Sequence, residues 1–228
     1  MPNANAEVEA HKQAAAERAL ELVRPGTIVG LGTGSTARYF IDGLIQRVQA
    51  GLSVRAVVTS LETRRQAEAG GIEVVEQLDG SLDLAVDGAD EIDPAINCLK
   101  GRGGALLREK IVATASRRFV LVADESKLVG RLGRGPVPIE VLPFLWQATS
   151  HAVESLGGRP ELRIVAGRPF RTDNQNLILD TNFGTVDLAL GLALHAIPGV
   201  LEHGLFFGIA RAAIVAGASG TRILGELG

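Results

Sequence analysis

Short aliphatic runs alternate with segments of helical spacing along the first 124 residues of this chain. Residues 8–23 are rich in alanine and other strong helix formers and stop at Arg24-Pro25-Gly26. Residues 27–31 read as a short buried strand that enters Gly32-Thr33-Gly34-Ser35-Thr36. Past that loop Phe40, Ile41, Leu44, Ile45 and Val48 recur at helical spacing, with Ser35 or Thr36 placed as the N-cap. Further strands are expected at 54–58, 72–75, 82–86 and 119–123, a helix capped by Ser60 and ended by Gly70-Gly71, and another over 103–115. Such alternation predicts parallel pairing through right-handed crossovers, with helices on both faces of the sheet. Ligands of such sheets sit at the carboxyl ends of the strands. The polar clusters fall there: residues 33–36, 59–60, 87–93 and 124–127.

The texture changes near Leu132. Residues 133–143 hold glycines and prolines and read as a hinge. A strand (137–142), a helix (144–156), two strands (162–166 and 177–179), a helix (186–196) and a strand (205–207) follow. That βαββαβ order is the split unit of ferredoxin-like domains. Two short apolar runs in 212–224 could rejoin the first sheet. The fold class is therefore α/β, a Rossmann-like parallel-sheet domain (1–131 plus 206–228) with a smaller α+β ferredoxin-like domain (132–205).

Composition narrows the function. With 46% hydrophobic and 21% charged residues a packed core is affordable, and a net charge of −3 argues against binding a nucleic-acid backbone. The single cysteine, Cys98, excludes an intramolecular disulfide and a CxxC metal knuckle, and the four histidines show no metal-ligand spacing. Met1-Pro2-Asn3-Ala4-Asn5 lacks the basic start of a signal peptide, and the apolar stretch 199–217 is interrupted by Glu202, His203 and Arg211. A cytoplasmic protein without a membrane segment is expected.

Three constellations carry chemistry. In the loop through Thr33, Gly34, Ser35 and Thr36, glycines and a helix N-terminus suit an anion, or simply a capped turn. No lysine of a Walker loop is present, and the dinucleotide fingerprint is broken at Ser35. Asp87, Asp90, Glu91 and Asp93 place four carboxylates within seven residues after a strand. Such a cluster needs compensation by sugar hydroxyls or by a cation. Asp87 and Asp90 are the candidates, with Glu91 and Asp93 read as solvated or capping. Lys100-Gly101-Arg102-Gly103-Gly104 offers a positive charge for an enediolate oxygen or a phosphate ahead of a helix. Glu109, about one and a half turns into that helix, could serve as a general base beside the loop. An isolated helix glutamate is more often exposed and paired, here to Arg108 or Lys110. Lys127, in Asp124-Glu125-Ser126-Lys127, is a phosphate or hydroxyl contact or a surface lysine.

Together with residues 138–141, 158–160, 172–174 and 197–200, these motifs make the chain resemble the type A ribose-5-phosphate isomerase family over nearly its whole length. The resemblance implies interconversion of ribose 5-phosphate and ribulose 5-phosphate in the non-oxidative pentose phosphate pathway, a phosphosugar substrate, no cofactor and a homo-oligomer; a homodimer with no metal and no nucleic-acid or membrane partner is expected. It makes Glu109 the base and Asp87 the group that assists ring opening, with Lys100 stabilising the enediolate. It adds Thr33, Gly34, Ser35, Thr36, Gly88, Ala89, Asp90, Gly101, Arg102, Gly103 and Lys127 as substrate contacts. Arg102 departs from an unbroken glycine run, and Arg211 stands where aspartate is common. Two competing classes are a phosphosugar-sensing domain and a nicotinamide-dependent dehydrogenase. The first lacks a preceding DNA-reading helix, and the second lacks its fingerprint.

Overall fold

The computed structural model describes residues 4–78 and 80–227. Met1, Pro2 and Asn3, on which the absence of a signal peptide was partly read, lie outside the described residues. The chain runs through α1 (Ala4–Leu20), β1 (Ile28–Leu31), α2 (Ser35–Gln49), β2 (Arg55–Val58), α3 (Leu61–Ala69), β3 (Glu73–Val74) and β4 (Leu84–Asp87). Next come β5 (Glu91–Ile92), β6 (Cys98–Leu99), α4 (Leu106–Ala115), β7 (Phe119–Asp124) and a 3-10 turn (Glu125–Lys127). Then follow β8 (Val137–Val141), α5 (Trp146–Ser155), β9 (Arg159–Leu162), β10 (Ile164–Val165), β11 (Arg168–Pro169) and β12 (Leu177–Asn182). The last elements are α6 (Leu188–His195), β13 (Val200–His203), β14 (Leu205–Phe206), β15 (Ala212–Gly217) and β16 (Gly220–Gly225). Among the described residues no helix is long and apolar enough to cross a membrane.

Two compact units result: Met1–Ala89 with Arg108–Leu128 and Gly208–Gly228, and Asp90–Leu107 with Val129–Phe207. Residues 90–107 thus cluster with the second unit, whereas the sequence reading placed them in the first.

The first unit is a seven-stranded sheet of order β16-β15-β7-β4-β1-β2-β3, parallel except for the terminal β15–β16 hairpin. The tail does rejoin the first sheet, as its two apolar runs predicted. One face is covered by α1 and α2, where Ala15, Ala16 and Ala19 let the helix lie close and Phe40, Ile41 and Leu44 pack on Val29, Leu31, Val86 and Val122. The other face carries α4. A side chain at Gly30 would meet Val112 of that helix at 2.5 Å, so glycine there is what allows α4 to sit down on β1. Chain order reverses between β1 and β4, neighbours whose next strands leave in opposite directions, so their carboxyl ends open the crevice in which such sheets bind ligands.

The second unit has a four-stranded antiparallel sheet of order β13-β8-β12-β9. With α5 and α6 in the connections this is the predicted βαββαβ ferredoxin-like order, but its second strand is Arg159–Leu162 rather than 162–166, and its fourth is Val200–His203 rather than 205–207, which pairs as β14 in another sheet. Its core is Val137, Ile139, Val141, Val153, Leu177, Leu179 and Leu194. A separate three-stranded sheet, β14-β6-β5, was not anticipated, because two-residue strands carry no periodicity. It matters because Lys100 directly follows β6 and its N–H donates to the carbonyl of Gly204, 2.9 Å away.

Local chemistry explains the element ends. The Ser60 hydroxyl accepts the Thr63 N–H at 3.1 Å and starts α3, as expected. At α2 the cap is Gly34 with φ 108°, not Ser35 or Thr36, and no side chain caps the helix. The predicted helix from 103 instead starts at Leu106, because Gly101 and Gly104 adopt φ of 106° and 82° and wind residues 101–104 into a turn.

A side chain at Gly204 would lie 2.1 Å from the backbone oxygen of Lys100. Gly204→Ala is expected to lower the unfolding free energy by about 1–3 kcal/mol, read from urea denaturation.

Candidate active site

Asp87 closes β4 and is 3% exposed. Its Oδ1 accepts the N–H of Thr33 at 3.1 Å and that of Gly88 at 2.7 Å, while the carboxylate packs on Gly32 so closely that a Cβ there would lie 2.1 Å from it. One buried anion therefore fixes the loops after both switch-point strands. The Thr33 hydroxyl is turned inward, 2.7 Å from Thr59 Oγ1 and 3.3 Å from Thr63 Oγ1. Thr59 itself donates to the Leu31 carbonyl, so Thr33 is the donor of that short bond. Thr33 thus braces the loop with its hydroxyl. The first-turn N–H groups of α2, at Ser35, Thr36 and Ala37, have no helical acceptor and suit an anion.

Glu109 is the fourth residue of α4, in its first turn, and only 5% exposed. That burial excludes the exposed position an isolated helix glutamate usually takes. Val112, one turn later, sits over Gly30. Glu109 is about 5 Å nearer the carboxyl edge on the same helical face, and Gly32 is about 7 Å beyond Gly30 on the same face of β1. Asp87 reaches Gly32 from that face, so the register brings Glu109 and Asp87 to one level of the sheet rim. Lys127 ends the 3-10 turn that Asp124 caps by accepting the Ser126 N–H at 3.0 Å.

In the second unit Lys100 is 3% exposed, with its ammonium 5.8 Å from the centre of the Phe206 ring. Asp90 Oδ2 accepts the Arg102 N–H at 3.0 Å. The Arg102 guanidinium, half exposed, lies 3.9 Å from both Asp90 and Glu91. It faces carboxylates and offsets them. Glu91 is not solvated as read: it is 2% exposed and accepts the N–H groups of Gly133, Arg134 and Gly135 at 2.8, 3.2 and 2.7 Å. Asp93 caps its own turn through Ala95 and Asn97. Two of the four clustered acids are therefore structural.

The sequence profile described as ribose 5-phosphate isomerase A (phosphoriboisomerase A) matches residues 55–220. A ribose-5-phosphate isomerase A of Gloeobacter violaceus is 50% identical over 218 residues, covering 93% of this chain and 95% of that protein. The chain belongs to the ribose 5-phosphate isomerase A family. The solved structure of ribose 5-phosphate isomerase A from Methanocaldococcus jannaschii superposes with a TM-score of 0.91 at 35% identity, covering 96% of this chain and 99% of that one. A D-ribose-5-phosphate isomerase solved with phospho-erythronic acid gives 0.92 at 38% identity, with coverage of 96% and 99%.

One cluster in this family member was invisible in the sequence. His195 and His203, whose spacing suggested no shared site, converge with Glu202 so that their ligand atoms lie within 4.8 Å of one another. Folding α6 against β13 brings them together. Hydrogen bonds occupy His203: its Nδ1 accepts the Leu205 N–H at 3.2 Å, so Nε2 carries the proton donated to the Gly191 carbonyl at 3.0 Å. Glu202 Oε1 accepts the His203 N–H at 2.8 Å and lies 3.1 Å from His195 Nε2. With both imidazole nitrogens of His203 engaged, the cluster is a closed polar network.

Asp87→Ala leaves the Thr33 and Gly88 N–H groups without their acceptor and is expected to cost about 1–3 kcal/mol of stability. Asp87→Asn retains an acceptor oxygen and should unfold within about 1 kcal/mol of the parent; calorimetry on both variants checks this.

Proposed function

We propose that the protein interconverts D-ribose 5-phosphate and D-ribulose 5-phosphate through an enediolate, with Glu109 as the base. The observation that carries the assignment is a carboxylate, 5% exposed, in the first turn of α4 at the level of Asp87. Desolvation there removes competing water from a group that must take up and return a proton.

The 5-phosphate is assigned to Gly34, Ser35 and Thr36 at the α2 N-terminus, with Lys127 supplying a positive charge. Thr33 contributes through its backbone. Asp87 assists opening of the sugar ring, with Gly88 and Ala89 lining the same turn. In the open aldose Glu109 removes the proton on C2, and the electron pair forms the C1–C2 double bond while negative charge moves to the C1 oxygen. The Lys100 ammonium neutralises that oxygen, and Asp90, Gly101, Arg102 and Gly103 hold the hydroxyls. Glu109 then returns the proton to C1, while the C2 hydroxyl passes its proton to the C1 oxygen and becomes the ketone. No atom is gained or lost, so the step needs no redox cofactor. Phospho-erythronic acid, bound by one solved relative, ends in a planar carboxylate whose two coplanar oxygens resemble the two oxygens that the enediolate carries on C1 and C2.

We place the enzyme in the cytoplasm and in the non-oxidative pentose phosphate pathway, and assign it as a homodimer. Phe144, Leu145, Leu188 and Leu192 of the second unit are 74%, 63%, 57% and 64% exposed, large apolar side chains of the kind that a second copy would cover. Sedimentation of Phe144→Glu as a monomer, against a dimeric parent, is the expected result; a parent that sediments as a monomer removes the dimer.

Glu109→Gln is expected to lower turnover of ribose 5-phosphate by about 10²–10⁴ while the sugar phosphate still binds. A rate near that of the parent takes Glu109 out of the mechanism.

A further inference from the structure

We infer that Arg163 and Asp180 are positioning residues that set the direction of the backbone N–H groups in the glycine loop after Lys100. The inference rests on the isomerase reading of that loop, to which neither residue has so far been assigned.

Arg163 follows β9 and Asp180 lies on β12, the neighbouring strand. Their contact is two-pronged: Nε donates to Oδ2 at 2.8 Å and Nη2 to Oδ1 at 2.5 Å. The guanidinium is thereby locked, with its side chain 12% exposed. Its remaining nitrogen, Nη1, has two hydrogens. They go to the carbonyls of Gly101 and Arg102, each at 3.0 Å. Four of the five guanidinium donors are thus committed, two to holding the arginine and two to holding the loop. A pair needed only to tie two strands together would have no call on two successive loop carbonyls.

Planarity transmits the grip. All peptide bonds described are trans, and in a trans peptide the C=O and the following N–H point in opposite directions. Holding the Gly101 oxygen turns the Arg102 N–H the other way, where Asp90 Oδ2 accepts it at 3.0 Å. That peptide is clamped at both ends. Holding the Arg102 oxygen likewise turns the Gly103 N–H away from Arg163, toward the side where Asp90 lies. Two consecutive N–H groups then face the same way; Asp90 takes the first, and the Gly103 N–H is the one directed to a substrate oxygen. The positive charge on the carbonyls also polarises both peptides and strengthens their N–H groups as donors. Phe170 completes the support: its ring lies 5.7 Å from the guanidinium carbon and so close beneath Gly104 that a Cβ there would be 2.5 Å from it.

The test compares the parent with Arg163→Lys, which keeps the charge but cannot hold Asp180 with two prongs and both carbonyls together, and with Asp180→Asn as the milder variant. Amide hydrogen exchange over residues 101–104, binding of phospho-erythronic acid, binding of inorganic phosphate, kcat and melting temperature are measured on each. The expected outcome for Arg163→Lys is exchange and the phospho-erythronic acid dissociation constant both raised about tenfold or more, with kcat lowered to match. Phosphate affinity, assigned to the α2 turn, stays as in the parent, and so does the melting temperature. Unchanged exchange, or unchanged affinity for phospho-erythronic acid, overturns the inference. Parallel weakening of both ligands with a lowered melting temperature also overturns it, in favour of a purely structural pair. Failure of the parent to isomerise ribose 5-phosphate would instead sink the functional reading, and the exchange measurement would still decide whether Arg163 holds the loop.

Discussion

The carboxylate of Asp87, seated on Gly32 and accepting two backbone N–H groups, is the constraint from which the first unit's ligand edge follows. A buried anion is tolerated only when donors surround it. Here the donors come from the loops after β1 and β4, the strands where sheet order reverses. Satisfying Asp87 therefore forces those two loops to adopt one relative geometry. That geometry sets Gly34 at φ 108° and presents the α2 N-terminus at the rim. Gly32 is indispensable because any side chain would displace the carboxylate.

The second unit uses the same device. Glu91 gathers three consecutive backbone N–H groups at residues 133–135, so the segment ahead of β8 is held although it reads as a hinge. Glu140, fully buried on β8, accepts from Thr172, Asn174 and Asn176 at 2.9, 3.2 and 2.8 Å and so ties down the loop before β12. Asp90 and the Arg163–Asp180 pair do this for the glycine loop. In each case charge placed inside the protein orders backbone that forms no regular ladder. Loops of this sort owe their shape to donors and acceptors far away in sequence, and rigid loops are what proton transfer at a fixed distance requires.

Much of this was legible in the residues. Alternation of apolar runs with helical spacing gave the parallel sheet, and the order of elements after Leu132 gave the ferredoxin-like unit. Both depend on periodicity, a local property of the chain. The helix starts at α2 and α4 were less accessible. Ser35 is a good cap by propensity, yet the backbone at Gly34 carries that position, because the loop geometry is dictated by Asp87 fifty-three residues later. Glu91 reads as one more surface acid, and nothing local announces the three amides that it accepts.

By itself the sequence determined fold class, the strands whose ends bear polar clusters, and the residue types available for an isomerase: a glutamate, a lysine, an aspartate and an anion-binding turn. Those follow from side-chain chemistry and spacing along the chain. Tertiary structure alone decided which of four neighbouring carboxylates are structural, that Glu109 is buried, that His195 and His203 meet, and that Arg163 reaches Gly101 across sixty-two positions. Desolvation and hydrogen-bond partnership are properties of surroundings, and the surroundings of a side chain exist only once distant segments have packed around it.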